Sequence, residues 1–529
     1  MNNTPTSHVS TGVIQRGRKF ARWKLYAVGA AAVAGVLLFI DARLIANRND
    51  DHRDDWVLLF NPGESVVGKS VAGLLGKDRG QLAVTQAEYW TVQSSYWRRI
   101  ALALSVFGIK VSRLPDDWTS LFKPQPATPD VAAAHADLLK RVRSGPEFVA
   151  AELMRAQEAA VAEYALTLGA DTPSQVGDKP PKSTSRLVIP LKDGVQVTMQ
   201  RTEVLRTAKG TTWRGSVEET GESALLMWWK NGHMSGVFAY KGRIYTIVNL
   251  KDDLHAVVES DPAKLPPDHS PPTADSAKFM ATRAEAREEA IPRPVEFKPL
   301  SQIDLDALQV KKISIDVMML YTKKAAAQNV QKPAEVIEMT IDQANATFRN
   351  SSVGNVNLRL VHAEAIDYDE TSGKHFEHLY GMVDGVGVFK RVHKLRDDKR
   401  ADVVGLIVDD PSGCGLSTRV GADAEEAFFV VHLACATLTN SIAHEVGHII
   451  GARHDRSIDK GGQFPYAHGY VNGSKWRDIM SYHEACNGCP RIPFWSNPRV
   501  TYQGEPTGTP LADNARVILE QAERVSKFR

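Results

Sequence analysis

"HEVGHIIGARHD", residues His444 to Asp455, decides how this chain is read. It places three histidines, two acids and two glycines in a run that otherwise has the pattern of a helix. Residues four apart lie on one helix face, so His444 and His448 can reach a single ion. Glu445 stands beside the first of them, where a carboxylate can meet a water activated by that ion. Gly451 permits the positive-φ turn that ends a helix. The chain can then swing back and offer His454 as a third nitrogen. Three protein nitrogens with one open position describe a catalytic zinc site rather than a closed structural one. Zinc there would acidify the water and polarise a carbonyl while Glu445 takes the proton. Two solvated histidines on a helix would account for HExxH alone, but not for a glycine and a third histidine in register.

The full HExxHxxGxxH pattern resembles the metzincin metalloproteases. Their second mark is a methionine turn below the zinc, and "RDIMSYHEACNGCP" offers Met480 for it. Asp455 directly after the third histidine is similar to the reprolysin branch. Tyr482, two residues past the methionine, is instead similar to astacins and serralysins, which makes it a candidate transition-state stabiliser; an aromatic packed beside the turn is the alternative. "ISIDVMMLYT", "ADVVGLIVDD", "CGLSTRVGA" and "FWSNPRVTYQG" extend the resemblance to the bacterial peptidyl-Asp metalloendopeptidase type, from about Lys311 to the C-terminus. The resemblance implies a zinc endopeptidase, an acidic cleavage preference and an α+β catalytic domain, a mixed sheet with the active-site helix behind the zinc.

The chain has 529 residues, too many for one core, so two to four domains are expected. A formal net charge of +2 carries no nucleic-acid footprint. The four cysteines are Cys414, Cys435, Cys486 and Cys489. In an oxidising compartment we expect Cys414–Cys435 and Cys486–Cys489; the rival, a structural zinc half-site at "CNGC", lacks a partner motif.

Residues 1–24 carry Arg16, Arg18, Lys19, Arg22 and Lys24 and read as a cytoplasmic basic segment. Residues 25–46 follow as a signal anchor or a cleavable signal peptide. The anchor reading places the C-terminal domain outside the cytoplasm, membrane-attached; cleavage would make the protein secreted. Residues 47–177 have a mostly helical pattern of unknown role. Period-two alternation broken by Asp-Gly, Asn-Gly and Lys-Gly turns makes 186–264 a small β domain, similar to the pro-domains of exported bacterial metzincins. A Pro-rich and charged linker, 265–310, should be exposed and mobile. The catalytic domain spans 311–529.

Latency cannot rest on a cysteine thiolate, because no cysteine precedes Cys414. Asp268 or His269 in "PPDHSPP" could enter the open zinc position instead. A strand added to the edge of the catalytic sheet is a second route, and a domain that only assists folding is a third. Outside the motif, His362, His375, His378, His393 and His432 lack ligand spacing. His468 and His483 are nearer in sequence to the site and are better candidates for substrate contact. Lys475 and Arg491 read as solvated charges, although a cation at the specificity pocket would match an acidic side chain. The chain is therefore expected to be a zinc endopeptidase made as an exported or anchored zymogen and acting on peptides or proteins. The alternatives are an anchored, non-enzymatic binding protein, against which an intact Glu445 argues, and a zinc hydrolase of cell-wall peptides.

Overall fold

The computed structural model describes residues 56–58, 111–113, 122–126, 128–156, 186–206, 210–229, 233–269, 278–279 and 298–529. The chain divides into two units, 1–119 and 120–529. In the first, the described residues form one antiparallel pair, β1 (Trp56–Leu58) and β2 (Val111–Arg113).

The second unit opens with a nine-stranded sheet of order β3-β4-β11-β10-β9-β8-β7-β6-β5. Its strands are β3 (Phe122–Pro124), β4 (Phe148–Ala156), β5 (Arg186–Pro190), β6 (Gln196–Arg206), β7 (Gly210–Val217), β8 (Ser223–Trp229), β9 (Met234–Tyr240), β10 (Arg243–Lys251) and β11 (Leu254–Ser260). All the pairings are antiparallel, and from β5 to β11 consecutive strands are neighbours, as short hairpins dictate. Lys241 and Gly242, with φ of 51° and 75°, supply the two left-handed positions of a tight turn between β9 and β10. One face buries Trp213, Met199, Leu226 and Phe238.

The helix expected across Phe148–Ala156 is a strand. Its Ala- and Glu-rich composition favours helix locally, but Glu152 to Arg155 pair with Val257 to Leu254, and tertiary pairing overrides propensity. The β domain therefore reaches back to Phe122 instead of starting at Arg186.

The second sheet has the order β13-β12-β14-β16-β15, with strands β12 (Ile313–Thr322), β13 (Val356–Ile366), β14 (Val403–Val408), β15 (Gly415–Ser417) and β16 (Phe428–His432). It is parallel except for β15, which runs antiparallel to β16 and lies at the edge. Helix α1 (Pro333–Asn350) and helix α2 (Ser441–Ile450) pack into one core with it through Ile337, Ile341, Phe348, Ile442, Val446 and Ile449. Helix α3 (Asn514–Val525) adds Ile518 and Ala522 to the same core. This is an α+β arrangement. The nine-stranded sheet rests its other face on α1, where Leu225, Met227 and Trp229 surround Met339. Arg214 pairs there with Asp342, both largely buried.

Membrane anchoring is not supported. Among the described residues no helix is long and apolar enough to cross a membrane. The expected segment, 25–46, lies outside the described residues, and its apolar run Leu25–Ile40 would span only about 24 Å as a helix against a hydrocarbon core of ~30 Å.

Candidate metal centre

Helix α2 is buried along its whole length and has a left-handed residue, Asn440 (φ 57°), in front of it. It ends at Gly451, where φ is 139° and the N–H donates to the Gly447 carbonyl at 2.9 Å. The turn predicted from the sequence is thus present, and His454 returns towards the helix. Below α2 lies Met480, fully buried. A Cβ on Gly447 would sit 2.5 Å from the Trp495 ring and 3.2 Å from the Met480 sulfur, so only glycine lets the methionine turn approach this closely. Asp455 links the two loops, accepting from Ser457 N at 3.1 Å and from Tyr482 N at 3.3 Å.

The rings are held by their far nitrogens. His444 Nδ1 faces the Ile479 carbonyl at 2.9 Å, and His448 Nδ1 faces the Ala452 carbonyl at 3.0 Å. A carbonyl only accepts, so each Nδ1 carries the proton and each Nε2 keeps a bare lone pair. Yet His444 Nε2 and His448 Nε2 are 3.1 Å apart, and His454 Nε2 is 2.9 Å from that of His448. Two bare lone pairs repel at this distance, and a cation between them turns the repulsion into coordination. Nitrogens at 2.0–2.1 Å from a tetrahedral zinc stand about 3.3 Å apart, so the residues fit the ion. Burial and the His448 ring push His444 and His454 well below the ordinary imidazole range, and burial brings His448 to about 4. All three are neutral at pH 7, the form that ligates.

Glu445 is 1% exposed, and among the described residues its Oε2 has no hydrogen-bond partner. Tyr482 lies over His454 with ring centroids 4.3 Å apart, and burial raises its phenol so that it stays protonated. The cysteines pair as expected, Cys414 with Cys435 and Cys486 with Cys489. The first bridge ties the segment entering β15 to the helix Leu433–Leu438 in front of α2.

Several placements bear on the expectations. Part of the linker expected to be mobile is docked, because Pro266–His269 lies at the site. The imidazole nitrogens of His269, His444, His448 and His454 form one group within 4.8 Å. Arg491 is not a solvated charge: its side chain is 6% exposed and its Nη2 donates to Asp268 at 2.6 Å. Lys475 does stay at the surface, paired with Glu505. His468 faces the His454 carbonyl through Nδ1 at 3.1 Å, so it braces the third candidate ligand instead of meeting substrate. His483 reaches Asp268 through its backbone N–H at 3.3 Å. His375, His378 and His432 are buried near Asp409 and Asp410.

Asp478 was not foreseen. It accepts from Ser481 Oγ at 2.6 Å and from Ser496 N at 3.0 Å, and burial raises it to about 6. It pins both sides of the methionine turn, and a lone acid beside "IMSY" gives no sign of this.

A helix bearing HExxHxxGxxH, a third histidine beyond a glycine turn and a methionine turn beneath define a zinc metalloendopeptidase of the metzincin type. The model of metallo-peptidase family M12, reprolysin type, matches residues 311–495. Peptidyl-Asp metalloendopeptidase of Xanthomonas campestris pv. campestris is 30% identical over 308 residues, 56% of this chain and 67% of that protein. The protein of the same name from Stenotrophomonas maltophilia is 29% identical over 328 residues, 59% of this chain and 72% of its own length. Metalloproteinase-II from Bacteroides fragilis aligns in structure with a TM-score of 0.31 at 10% identity, covering 59% of this chain and 88% of that one, too low a score to bear on the fold. The chain belongs to the reprolysin-like bacterial metalloproteases of family M12, and the non-enzymatic alternative is set aside.

Proposed function

We propose that this zinc endopeptidase holds its metal through His444, His448 and His454 and uses Glu445 as general base. The observation that carries the reading is the convergence of bare imidazole nitrogens at 2.9 and 3.1 Å beside a buried carboxylate. Bound there, zinc supplies the Lewis acidity that polarises a peptide carbonyl and acidifies water. Glu445 takes the proton from the attacking water and returns it to the leaving amine, and among the described residues its Oε2 makes no competing hydrogen bond. Met480 and Asp478 hold the floor beneath the rings. Tyr482, kept protonated by burial, can donate a hydrogen bond to the oxyanion.

The names of the relatives support a preference for peptide bonds next to an acidic residue. The nine-stranded sheet that precedes the catalytic domain acts as a pro-domain, and the chain is made as a zymogen. The reading is supported by the docking of Pro266–His269, which follows that sheet, at the metal centre. The test is zinc analysis of the purified chain together with mass-spectrometric mapping of its cuts in a peptide library after limited proteolysis. Stoichiometric zinc and cuts beside Asp or Glu are expected; equal cleavage by metal-stripped protein would overturn the reading.

A further inference from the structure

We propose that His269 is a fourth nitrogen ligand of the zinc in the uncleaved chain, and that Asp268 beside it fills the pocket in which Arg491 receives an acidic substrate side chain. The proposal rests on His444, His448 and His454 being the zinc ligands.

The His269 ring stands 4.9, 5.4 and 5.7 Å from those of His454, His444 and His448. Among the described residues its buried Nε2 has no hydrogen-bond partner, while Nδ1 lies 2.6 Å from the Tyr482 hydroxyl. With the proton on Nδ1, Nε2 offers a lone pair to the same group of nitrogens. Four nitrogens complete a tetrahedral shell and leave no position for water. His269 Nε2 is also 3.6 Å from Glu445 Oε1, so the ring occupies the space beside the base. The Tyr482 hydroxyl is engaged by the same ring. One side chain thus takes the place of the water, crowds the base and lies against the Tyr482 hydroxyl.

The backbone sets the register. Cys414 N donates to the Pro267 carbonyl at 2.8 Å and Gly415 N to that of Asp268 at 3.3 Å, and His269 bridges Gly415 in parallel. The tract therefore lies along the β15 edge, held by these bonds and one isolated parallel bridge, a contact of the kind by which extended peptides bind to sheet edges. Pro266 and Pro267 restrict the chain in front of it and reduce the entropy lost on docking.

Asp268 explains the burial of Arg491. Besides the carboxylate, among the described residues the guanidinium hydrogen-bonds only to carbonyl oxygens, Ser481 at 3.2 Å and Thr439 at 3.4 Å, and its Nε has no partner there. A buried cation without a counter-charge is costly. When Asp268 leaves, an anion must take its place, and the planar fork suits a carboxylate. The residue that restrains the enzyme and the residue it prefers to bind are thus of one kind.

The test uses the full chain loaded with cobalt(II), whose visible spectrum reports coordination. Acetohydroxamate should leave the wild-type spectrum unchanged, whereas His269→Ala should respond to it. Asp268→Asn, which keeps the imidazole, should respond at a concentration between the two. A wild-type chain that responds as readily as His269→Ala would overturn the fourth ligand. Failure of every form to hold cobalt would instead overturn the three-histidine reading beneath it. In a chain carrying both His269→Ala and Asp268→Asn, an Asp-containing peptide should be cut faster than its Asn counterpart. Adding Arg491→Gln should reduce that preference roughly ten- to hundredfold. An unchanged preference would overturn the Arg491 pocket.

Discussion

The two halves of this metal centre arrive by different routes. His444, Glu445, His448 and His454 come from one helix and the turn after it, so local geometry alone brings them together. Asp268 and His269 come from before the catalytic domain and arrive by edge pairing to β15, an ion pair and a ring contact. The first half is built into the core with Met480 and Trp495. The second is fixed by few contacts and can be removed without opening that core. Under the zymogen reading proposed above, the permanent machinery is packed and the restraint is docked.

The sharpest break of this comparison is to damage the permanent half. His448→Ala should lose zinc and peptidase activity together, and metal analysis with a peptide assay checks both. Retained stoichiometric zinc would show the ligand set to be wrong. Glu445→Gln should lower kcat by at least ~10²-fold with zinc still bound, because it removes a proton acceptor and not a ligand. Full activity in that variant would remove the mechanism.

Acid should sharpen the contrast between the domains. His255 in the nine-stranded sheet is buried and lowered to about 4, chiefly by burial. Between pH 6.5 and 4 the unfolded chain binds a proton there that the folded chain resists, so stability falls as pH falls, by up to ~3 kcal/mol. His375 and His432 in the catalytic domain are also lowered to about 4 by burial. Denaturant unfolding at pH 7 and pH 4.5 should show His255→Gln flattening only the transition of the sheet domain. An unaltered pH slope would mean that His255 already protonates in the folded sheet.

A smaller effect is expected from Gly447→Ala. The added methyl meets Trp495 at 2.5 Å and should cost about 1–3 kcal/mol as the ring shifts, seen as a lower melting temperature of the catalytic domain. An unchanged melting temperature would mean that the methionine turn has slack the packing does not show.

Most of the permanent half was legible because helix spacing is local. The strands β12, β14 and β16 are largely apolar in sequence, and β13 starts with polar and apolar residues in alternation, so each has a local strand signal. What escaped depended on partners remote in sequence. Phe148–Ala156 has helical composition, and only β11 makes it a strand. Arg491 looked like any surface cation, since nothing near it announces that Ser481, Thr439 and Asp268 gather around it. "PPDHSPP" could be singled out only because no earlier cysteine was available; its contact with Tyr482 is a property of the folded chain. The expected membrane anchor, 25–46, lies outside the described residues and finds no support among them, where no helix is long and apolar enough to cross a membrane; charge asymmetry in the sequence suggests only an orientation.

The most direct measurement is anomalous scattering at the zinc edge from crystals of the zinc-loaded full chain. A single strong peak bonded to Nε2 of His444, His448 and His454, with His269 as the fourth neighbour, is the predicted result. Zinc bound elsewhere, or no peak among these histidines, would contradict the account.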